Sequence, residues 1–394
     1  MYKLIVSFAA LLGLFSGCNH HHHHHHANLK GSVTESKVLF DGSTLDHFDY
    51  KKDVWTIQED GTVKGETRPD LKIKRNTFMI SKDKDIADFE ATLWYKLTTS
   101  NNSGIIYRAD QIDEPDFFRV KGYQCEGEND LLKGAFMYDE ARRAWVASPG
   151  ELVVIKSKQD KKIVSQVNNH EALIKKKFVN NKEWNFVKIV ARGNHFAHYI
   201  NGELSIELID LDPKDSSRTG AFCLQVHAGS PMTVFFKDVK VKKYTRKFGN
   251  AQVLFIDDLK GWDVENVMTK KVKFTSPNGG GLKSRGYKEG QELEATEAVI
   301  TKGSMSTTLP KTDGILRFHV KGSVDCNVAD FAFSSSCAGN VDGFSQVEVL
   351  IHNSHAEVSI NGKVIGNSSA NNSDVIISAD SASIRNVVFL PFEK

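Results

Sequence analysis

Hydrophobic and polar residues alternate along most of the chain, in short segments separated by Gly, Asn, Asp and Ser. Successive side chains of a β-strand point to opposite faces, so this alternation predicts strands with one buried face. No stretch of the sequence keeps a helical period for more than a turn or two. Many short strands between turn residues are typical of a sandwich or a barrel. The pattern therefore predicts an all-β protein.

The segment 219–244 shows the alternation most clearly. Two alternating runs flank the turn residues Gly229-Ser230-Pro231, and we expect them to pair as an antiparallel hairpin. The first run has an apolar face and a polar face: Phe222, Leu224 and Val226 against Cys223, Gln225 and His227. The polar face either meets water or lines a concave site, and the pattern alone does not choose between these.

The chain contains two related halves. The segment that starts at Val38 has a counterpart that starts at Val253, and residues 187–202 correspond to residues 347–362. Each of the later segments ends in an Asn-Gly pair, Asn201-Gly202 or Asn361-Gly362, which is the strongest short-range signal for a hairpin turn. The repeat predicts a boundary near residues 246–250. We expect two tandem β-sandwiches, residues 37–246 and 251–394, of which the second is smaller and divergent.

The N-terminus has the features of an export signal. Lys3 precedes an apolar run from Leu4 to Phe15, and small residues then lead to Cys18. This resembles a bacterial lipobox, so residues 1–18 are predicted to be a lipoprotein signal peptide, with Cys18 lipidated after cleavage. The alternative is an ordinary secretory signal. Residues 19–36 form a histidine-rich linker, which is a metal-binding tract, a tether or an engineered tag.

The composition of the chain limits the kinds of molecule that the protein is expected to bind. The 394 residues carry 51 Lys and Arg against 49 Asp and Glu, and this balance argues against a nucleic-acid-binding protein. After residue 18 no segment is long and apolar enough to span a bilayer, so membrane contact is expected through the lipid alone. Four further cysteines lack metal-site spacing, and we expect buried free thiols.

Candidate chemistry is concentrated in the first half. Besides Gln225 and His227, four groups of residues stand out: Arg108 at a strand end, Gln124 and Glu126 on one strand face, the charged turn of Asp139, Glu140, Arg142 and Arg143, and His198 beside apolar neighbours. A charged turn is usually solvated, and a histidine such as His198 is more often a packing residue. Several polar strand faces in one domain nevertheless indicate a site.

Several blocks in order give the first half a family resemblance. Leu39-Phe40-Asp41-Gly42, Ser103-Gly104-Ile105, Gly122-Tyr123-Gln124, Tyr138-Asp139-Glu140 and Leu224-Gln225 with His227 resemble the bacterial 3-keto-disaccharide hydrolase family. The resemblance covers about residues 36–245. It implies a concanavalin-like jelly roll and a substrate, an oligosaccharide or glycoside, whose C3 hydroxyl has been oxidised to a ketone.

The resemblance also implies a mechanism. A C3 ketone acidifies the C2 proton, so a base can remove that proton while the C1 oxygen leaves. We therefore expect a hydrolase or lyase with His227 or Glu126 as the base and Arg108 on the enolate oxygen. The expected substrate-binding residues are Gln124, Gln225, Asp139, Glu140, Arg142, Arg143 and His198.

Two further expectations follow. The family resemblance allows a divalent metal ion held by Glu126, His227 or the acidic turn, although no ligand spacing in the sequence defines one. Export and lipidation predict a location in the cell envelope, in the periplasm or at the outer membrane. The alternative function is a carbohydrate-binding envelope lipoprotein without catalysis, because a fold alone does not establish an activity.

Overall fold

The computed structural model describes residues 33–112, 118–276, 279–310, 313–335 and 342–393. Within these ranges the chain forms three β-sheets and two short helices, which confirms the predicted all-β class. None of the described helices has the length and apolar character needed to cross a membrane. The predicted signal peptide, Cys18 and the histidine tract lie outside the described residues, as does Cys337.

The first half contains seventeen strands and one helix. The helix begins after Asn169, whose side chain accepts a hydrogen bond from Ala172 N, and ends at Lys177 in the left-handed conformation. The elements are β1 (Thr34–Phe40), β2 (Phe48–Asp49), β3 (Trp55–Ile57), β4 (Val63–Thr67), β5 (Thr77–Ser81), β6 (Phe89–Leu97), β7 (Ser103–Ile112), β8 (Arg119–Gly127), β9 (Met137–Glu140), β10 (Ala144–Ala147), β11 (Glu151–Ile155), β12 (Lys161–Gln166), α1 (His170–Lys176), β13 (Asn185–Arg192), β14 (His195–Ile200), β15 (Glu203–Asp210), β16 (Ala221–Val226) and β17 (Met232–Tyr244).

These strands form two facing sheets. Sheet 1 has the order β12-β11-β15-β14-β13-β6-β17-β4-β3, with β1 also paired to β17. Sheet 2 has the order β10-β9-β8-β7-β16-β5-β2. Alternate residues of both sheets point inward and form one hydrophobic core, in which Leu93 and Ile189 of sheet 1 join Tyr107, Tyr123 and Phe222 of sheet 2. The first half is therefore a sandwich.

The hairpin predicted for residues 219–244 is wrong. The two strands exist, but β16 pairs with β5 and β7 in sheet 2, whereas β17 pairs with β1, β4 and β6 in sheet 1. The Gly-Ser-Pro turn therefore carries the chain from one sheet to the other. The predicted faces of β16 are confirmed, because Phe222, Leu224 and Val226 belong to the core between the sheets.

The second half forms sheet 3. Its order is β19-β20-β27-β21-β24-β25-β26, with β18 and β22 also paired to the long strand β27, and it surrounds its own hydrophobic core. Ten strands of this half belong to one continuous sheet, which agrees with the all-β class predicted for it. The elements are β18 (Gln252–Phe255), β19 (Asp263–Thr275), α2 (Gly279–Lys283), β20 (Glu292–Thr308), β21 (Gly314–Gly322), β22 (Val324–Val328), β23 (Phe331–Ser335), β24 (Ser345–His352), β25 (His355–Ile360), β26 (Lys363–Ser369) and β27 (Asp374–Pro391).

The two halves share local geometry at the places where their sequences correspond. Asn201-Gly202 joins β14 to β15 and Asn361-Gly362 joins β25 to β26, with positive φ at all four residues. Positive φ at both central residues is the requirement of a type I′ hairpin turn, so both predicted hairpins are confirmed. Asp238 and Asn386, at matching places in β17 and β27, also have positive φ.

Sheet 3 packs on the outer face of sheet 1. Val190 and Ala197 of sheet 1 lie in one apolar cluster with Ile315, Val388 and Leu390 of sheet 3. A buried ion pair between Arg317 and Glu207 crosses the same interface. The outer face of sheet 2 takes no part in this cluster, and it carries the residues described next.

Candidate active site on the outer face of sheet 2

Five side chains form a polar strip on the outer face of sheet 2. Tyr123 and Cys125 of β8 point into the core, so the alternate residues of that strand point outward. The same alternation turns Tyr138 and Glu140 of β9 outward. The polar strip consists of Gln124, Glu126, Tyr138, Glu140 and Gln225. Phe78, Ile80, Ile106 and Cys223 form an apolar cluster beside it.

Hydrogen bonds link the centre of the polar strip. Gln225 Nε2 lies 3.4 Å from Gln124 Oε1, and Gln124 Nε2 donates to Glu126 Oε2 at 2.6 Å. Gln124 lies across Gly104 of β7, where a Cβ atom would come within 2.5 Å of the Gln124 side chain. Glycine at position 104 therefore makes room for this arrangement. Gln225 Oε1 is buried without a hydrogen-bond partner in the described part of the chain, so it can accept a bond from a ligand hydroxyl.

Glu126 is the group of the strip best suited to proton transfer. Its side chain is buried, with 2% of its surface exposed. Burial raises the pKa of Glu126 well above its usual value, and the negative charges of Glu128 and Glu140 act in the same direction, against the Gln124 hydrogen bond. Such a carboxyl group stays protonated at a pH where an exposed glutamate is ionised, and it can act as an acid.

Asn76 connects Glu140 with the turn that follows β16. The backbone N–H of Ala228, next to His227, donates to Asn76 Oδ1 at 3.0 Å, and the Asn76 side chain also hydrogen-bonds Glu140. Burial raises the pKa of Glu140, and the charge of Arg119 opposes that shift. Asn76 therefore links a second carboxyl group to the turn that carries the imidazole.

His227 does not contact Glu126. Its Nδ1 lies 2.6 Å from the carbonyl oxygen of Ala228, and its backbone N–H is directed at Met232 Sδ. Burial raises the pKa of Glu128, while Lys133 and the charge of His227 oppose that shift. The imidazole therefore lies near Glu128 at the end of β8. The catalytic roles predicted for His227 and Glu126 stay predictions, but the two side chains do not form a hydrogen-bonded pair.

Arg108 lies away from the strip, contrary to the prediction that it contacts the enolate oxygen. Its side chain is fully buried, and its guanidinium donates to Asp88 at 2.9 Å and to the carbonyl oxygens of Ala87, Gly193 and Ser217. With its donors used in this way, Arg108 supports the loops that meet there and has no free face for a substrate.

Asp139 and Arg143 of the charged turn are buried, and Glu140 and Arg142 are partly buried, so the turn is not the solvated surface that is usual for such a sequence. Arg143 contacts Asp139 at 2.6 Å and Asp210 at 2.7 Å, and Arg142 also pairs with Asp139. Arg142 and Arg143 lie over the ring of Tyr123, with guanidinium carbons 4.6 and 5.7 Å from its centroid. The cluster fixes the β9–β10 turn, so the predicted contacts of Asp139, Arg142 and Arg143 with substrate do not fit their positions. Glu140 alone of these four faces the strip.

His198 is a packing residue. It is fully buried in the core side of sheet 1, with Nε2 2.9 Å from the Tyr107 hydroxyl and Nδ1 3.1 Å from the carbonyl oxygen of Ala135. Burial lowers the pKa of His198 to about 3, so the ring is neutral. Its predicted contact with substrate does not agree with this position.

The residues proposed for a metal ion do not fit one. Within the described residues no three His, Cys, Asp or Glu side chains are grouped as metal ligands. Asp139 is held by two arginines, and burial raises the pKa of Glu126 so that its neutral form is favoured. Divalent cations bind ionised carboxylates, so we derive no step through a metal. The three described cysteines are buried and free.

Asn76, Tyr138 and Arg119 were not singled out from the sequence as site residues. Tyr138 was visible, because alternation from Glu140 places it on the same face. Asn76 precedes β5 as a lone polar residue, and only the fold brings it to Glu140 and to the turn after β16. Arg119 lies at the start of β8, and its charge reaches Glu140.

Solved structures with related architecture include several carbohydrate-related proteins. A glycosyl hydrolase candidate from Parabacteroides distasonis is 17% identical, with 53% of this chain and 99% of that chain covered and a TM-score of 0.36. The carbohydrate-binding module CBM66 from Bacillus subtilis is 14% identical, with coverages of 49% and 94% and a TM-score of 0.32. The Crh5 transglycosylase is 9% identical, with coverages of 56% and 88% and a TM-score of 0.33.

A comparison with curated proteins finds no matching sequence. The family model of the 3-keto-alpha-glucoside-1,2-lyase-like domain matches residues 35–242. These residues include both sheets of the sandwich and the whole polar strip, and the match confirms the resemblance drawn from the sequence. The chain belongs to the family of 3-keto-alpha-glucoside-1,2-lyase-like domains, a family of carbohydrate-active proteins.

Proposed function

We propose that the first half cleaves glycosides whose C3 hydroxyl has been oxidised to a ketone. The observation that carries this proposal is Glu126, a buried carboxyl group with a raised pKa among hydrogen-bonding amides on an outer sheet face. Membership of the lyase-like family supports the same substrate class. Ordinary glycosidases need a pair of carboxylates around an oxocarbenium-like transition state, whereas a ketone permits elimination.

The reaction divides into proton removal and departure of the aglycone. The C3 carbonyl acidifies the C2 proton, which passes to a base while the electron pair of the C2–H bond forms a C1–C2 double bond. The C1–O bond breaks, and the leaving oxygen takes a proton. Addition of water across the double bond would then give the free keto sugar, so the same elimination serves a lyase and a hydrolase.

Glu126 is assigned to the leaving oxygen, because its raised pKa keeps it protonated and able to donate. His227 or Glu140 is assigned as the base. Gln124 and Gln225 would hold sugar hydroxyls, and the unpaired Gln225 Oε1 is the acceptor for one of them. This changes the sequence-based assignment of Glu126 from base to acid and replaces Arg108 with strip residues.

The protein is further proposed to act in the cell envelope as a lipoprotein. The apolar run from Leu4 to Phe15 and the small residues before Cys18 support export and lipidation. A substrate already oxidised at C3 must come from a sugar-oxidising enzyme. The proposal therefore places the protein downstream of an oxidation at C3.

Aglycone release from a chromogenic 3-keto-glucoside and from the parent glucoside tests the substrate class. We expect turnover of the keto compound by the full chain and none of the parent glucoside. Equal rates on both compounds would remove the elimination mechanism. Binding of the keto compound without aglycone release would instead support the alternative, a carbohydrate-binding lipoprotein that uses the amides of the strip without catalysis.

A further inference from the structure

The outer face of sheet 1 is divided into a covered part and an open part. Where it is aliphatic, at Val190, Ala197 and Ile209, sheet 3 covers it. The open part spans β13, β6 and β17, and its partly exposed outward side chains include large rings and lysines beside Glu90 and Thr92. We call this the aromatic–lysine face, formed by Trp94, Trp184, Phe186, Phe235, Lys96 and Lys237.

Strand register places these side chains in adjacent rows. Phe186, Trp94 and Lys237 are cross-strand neighbours on β13, β6 and β17, and Lys96 is opposite Phe235 in the next row. The rings of Trp94 and Phe186 are 5.1 Å apart. Neighbouring strands lie about 4.8 Å apart. The rings therefore form a continuous apolar surface whose width is about that of one or two sugar rings.

The lysines are held over the rings. Lys237 Nζ lies 4.2 Å from the centroid of the Trp184 ring, and Lys96 Nζ lies 5.1 Å from the same ring and 5.3 Å from that of Phe235. Such cation–π contacts fix the ammonium groups above an apolar surface. They leave the edges of the rings and the outer sides of the ammonium groups open to a ligand.

Lys96 and Lys237 differ from two nearby lysines of this sheet, Lys64 and Lys188, in their partners. Lys64 pairs with Glu66 at 3.0 Å and Lys188 lies 3.7 Å from Glu90. Within the described residues, Lys96 and Lys237 form no ion pair with a carboxylate, since their neighbours are rings. Two positive charges are therefore available for a negatively charged ligand.

We propose that the aromatic–lysine face binds an acidic polysaccharide, a chain of pyranose sugars that carries carboxylate or sulfate groups. The ring of Phe186 and the edges of the other rings would contact the C–H groups of the sugars, and the two ammonium groups would bind the acidic substituents. Nucleic acid is a poorer match, because its closely spaced phosphates require more cations than the two lysines of this face that lack a carboxylate partner among the described residues.

The face continues into a cleft between the two halves. A cavity of about 120 Å³ is lined by Phe186, Lys188 and Tyr199 of the first half and by Gln346 and Asn361 of the second. Phe186 belongs to both the face and the cleft. A polysaccharide on the rings would therefore extend towards side chains of the second half, which gives that half a part in binding.

Binding of polygalacturonate and of neutral dextran to the full chain tests the proposal. We expect polygalacturonate to bind and dextran to bind much more weakly. Trp184→Ala is expected to weaken polygalacturonate binding about tenfold, which corresponds to about 1.4 kcal/mol. The double variant Lys96→Gln/Lys237→Gln should weaken it and reduce its dependence on salt, because fewer charges are screened.

Three comparisons keep the outcome interpretable. Lys270→Gln, at an exposed lysine of β19, should bind like the unaltered chain. Turnover of a small 3-keto-glucoside should be unchanged in the Trp184 and lysine variants, so failure of this proposal is distinct from failure of the proposed enzymatic function. If Trp184→Ala does not fold, the lysine variant alone decides.

The proposal is overturned if polygalacturonate does not bind, or if the lysine double variant binds it as tightly as the unaltered chain. Equal binding of dextran would refute the acidic class of ligand. Tighter binding of single-stranded DNA, or of vesicles containing phosphatidylglycerol, would assign the face to a nucleic acid or a membrane instead.

Discussion

Glu126 and Glu207 are both buried glutamates of the first half, but their pKa values are shifted in opposite directions. Glu126 lies on the outer face of sheet 2 beside neutral amides, and its pKa is raised well above the usual value. Glu207 lies between the halves beside Arg317, His319 and His195. Although burial itself acts to raise its pKa, the charge of Arg317 and the two neighbouring histidines hold it well below the usual value.

The comparison shows that the neighbours of a buried glutamate determine its protonation state, and with it the role of the side chain. Glu207 is ionised and fully paired, so it fixes one half against the other and has no proton to give. Glu126 has one hydrogen-bond donor and no cationic partner in contact, so it keeps its proton at a cost in stability. A group kept in the less usual protonation state is characteristic of functional sites, whereas a compensated charge is characteristic of an interface.

The largest expected change in stability follows from breaking the buried ion pair between Arg317 and Glu207. Glu207→Ala leaves Arg317 buried without its closest carboxylate, and we expect the free energy of unfolding to fall by about 3–5 kcal/mol. Chemical denaturation measures this change. Glu294→Ala, on an exposed position of β20, is the control and should change stability by less than about 0.5 kcal/mol. A loss below about 1 kcal/mol for Glu207→Ala would contradict a structural role.

Glu126→Gln, in contrast, should lose activity and keep its stability. The amide keeps the shape of the side chain and can still accept the Gln124 hydrogen bond, but it cannot donate a catalytic proton. Turnover of a 3-keto-glucoside should fall at least about 100-fold, with the free energy of unfolding unchanged or increased. The matched control is Glu128→Gln, two residues along and paired with Lys133, for which we expect a much smaller change in rate.

Glu126 and Glu207 should make the stability of the protein depend on pH in opposite directions. The folded pKa of Glu126 is raised, so above the unfolded value of about 4.3 the folded state binds more protons and stability falls with pH. Between about pH 4.3 and neutrality, the free energy of unfolding of Glu126→Gln should therefore increase relative to that of the unaltered chain. Glu207 has a lowered folded pKa, so its contribution is present above about pH 4.3 and lost on acidification. Denaturation curves across this range compare the two.

The smallest effect is expected at His198. His198→Gln removes a neutral ring that hydrogen-bonds Tyr107, and we expect a loss of about 1 kcal/mol in the free energy of unfolding. Turnover should be unchanged, because the ring lies inside the core and not on the polar strip. Loss of activity in a fully folded His198→Gln protein would restore His198 to the site.

The sequence predicts the sheet face on which a strand residue lies more reliably than the strand or charged residue with which it pairs. Alternation along β8 separates Tyr123 and Cys125 from Gln124 and Glu126, and the Asn-Gly pairs define both hairpin turns, because these features are local. The pairing of β16 with β17 was predicted wrongly, since alternation does not reveal which sheet a strand joins.

Ion-pair partners were also out of reach. Arg108 is paired with Asp88 and Arg143 with Asp210, and both contacts depend on how distant segments meet in the fold. A charged residue near a turn looks the same in sequence whether it is solvated, buried in a pair or free to bind substrate. That is why alternation placed Glu126 on the outer face of its sheet, whereas the buried ion pairs of Arg108, Arg142 and Arg143 were not predicted.

The most direct test of the central claim is the rate of aglycone release from a 3-keto-glucoside by the Glu126→Gln and Glu207→Gln variants, each with its denaturation curve. The account predicts that Glu126→Gln stays folded and loses turnover at least about 100-fold, while Glu207→Gln loses stability and keeps its rate where it is folded. Full turnover in a folded Glu126→Gln protein would contradict the account.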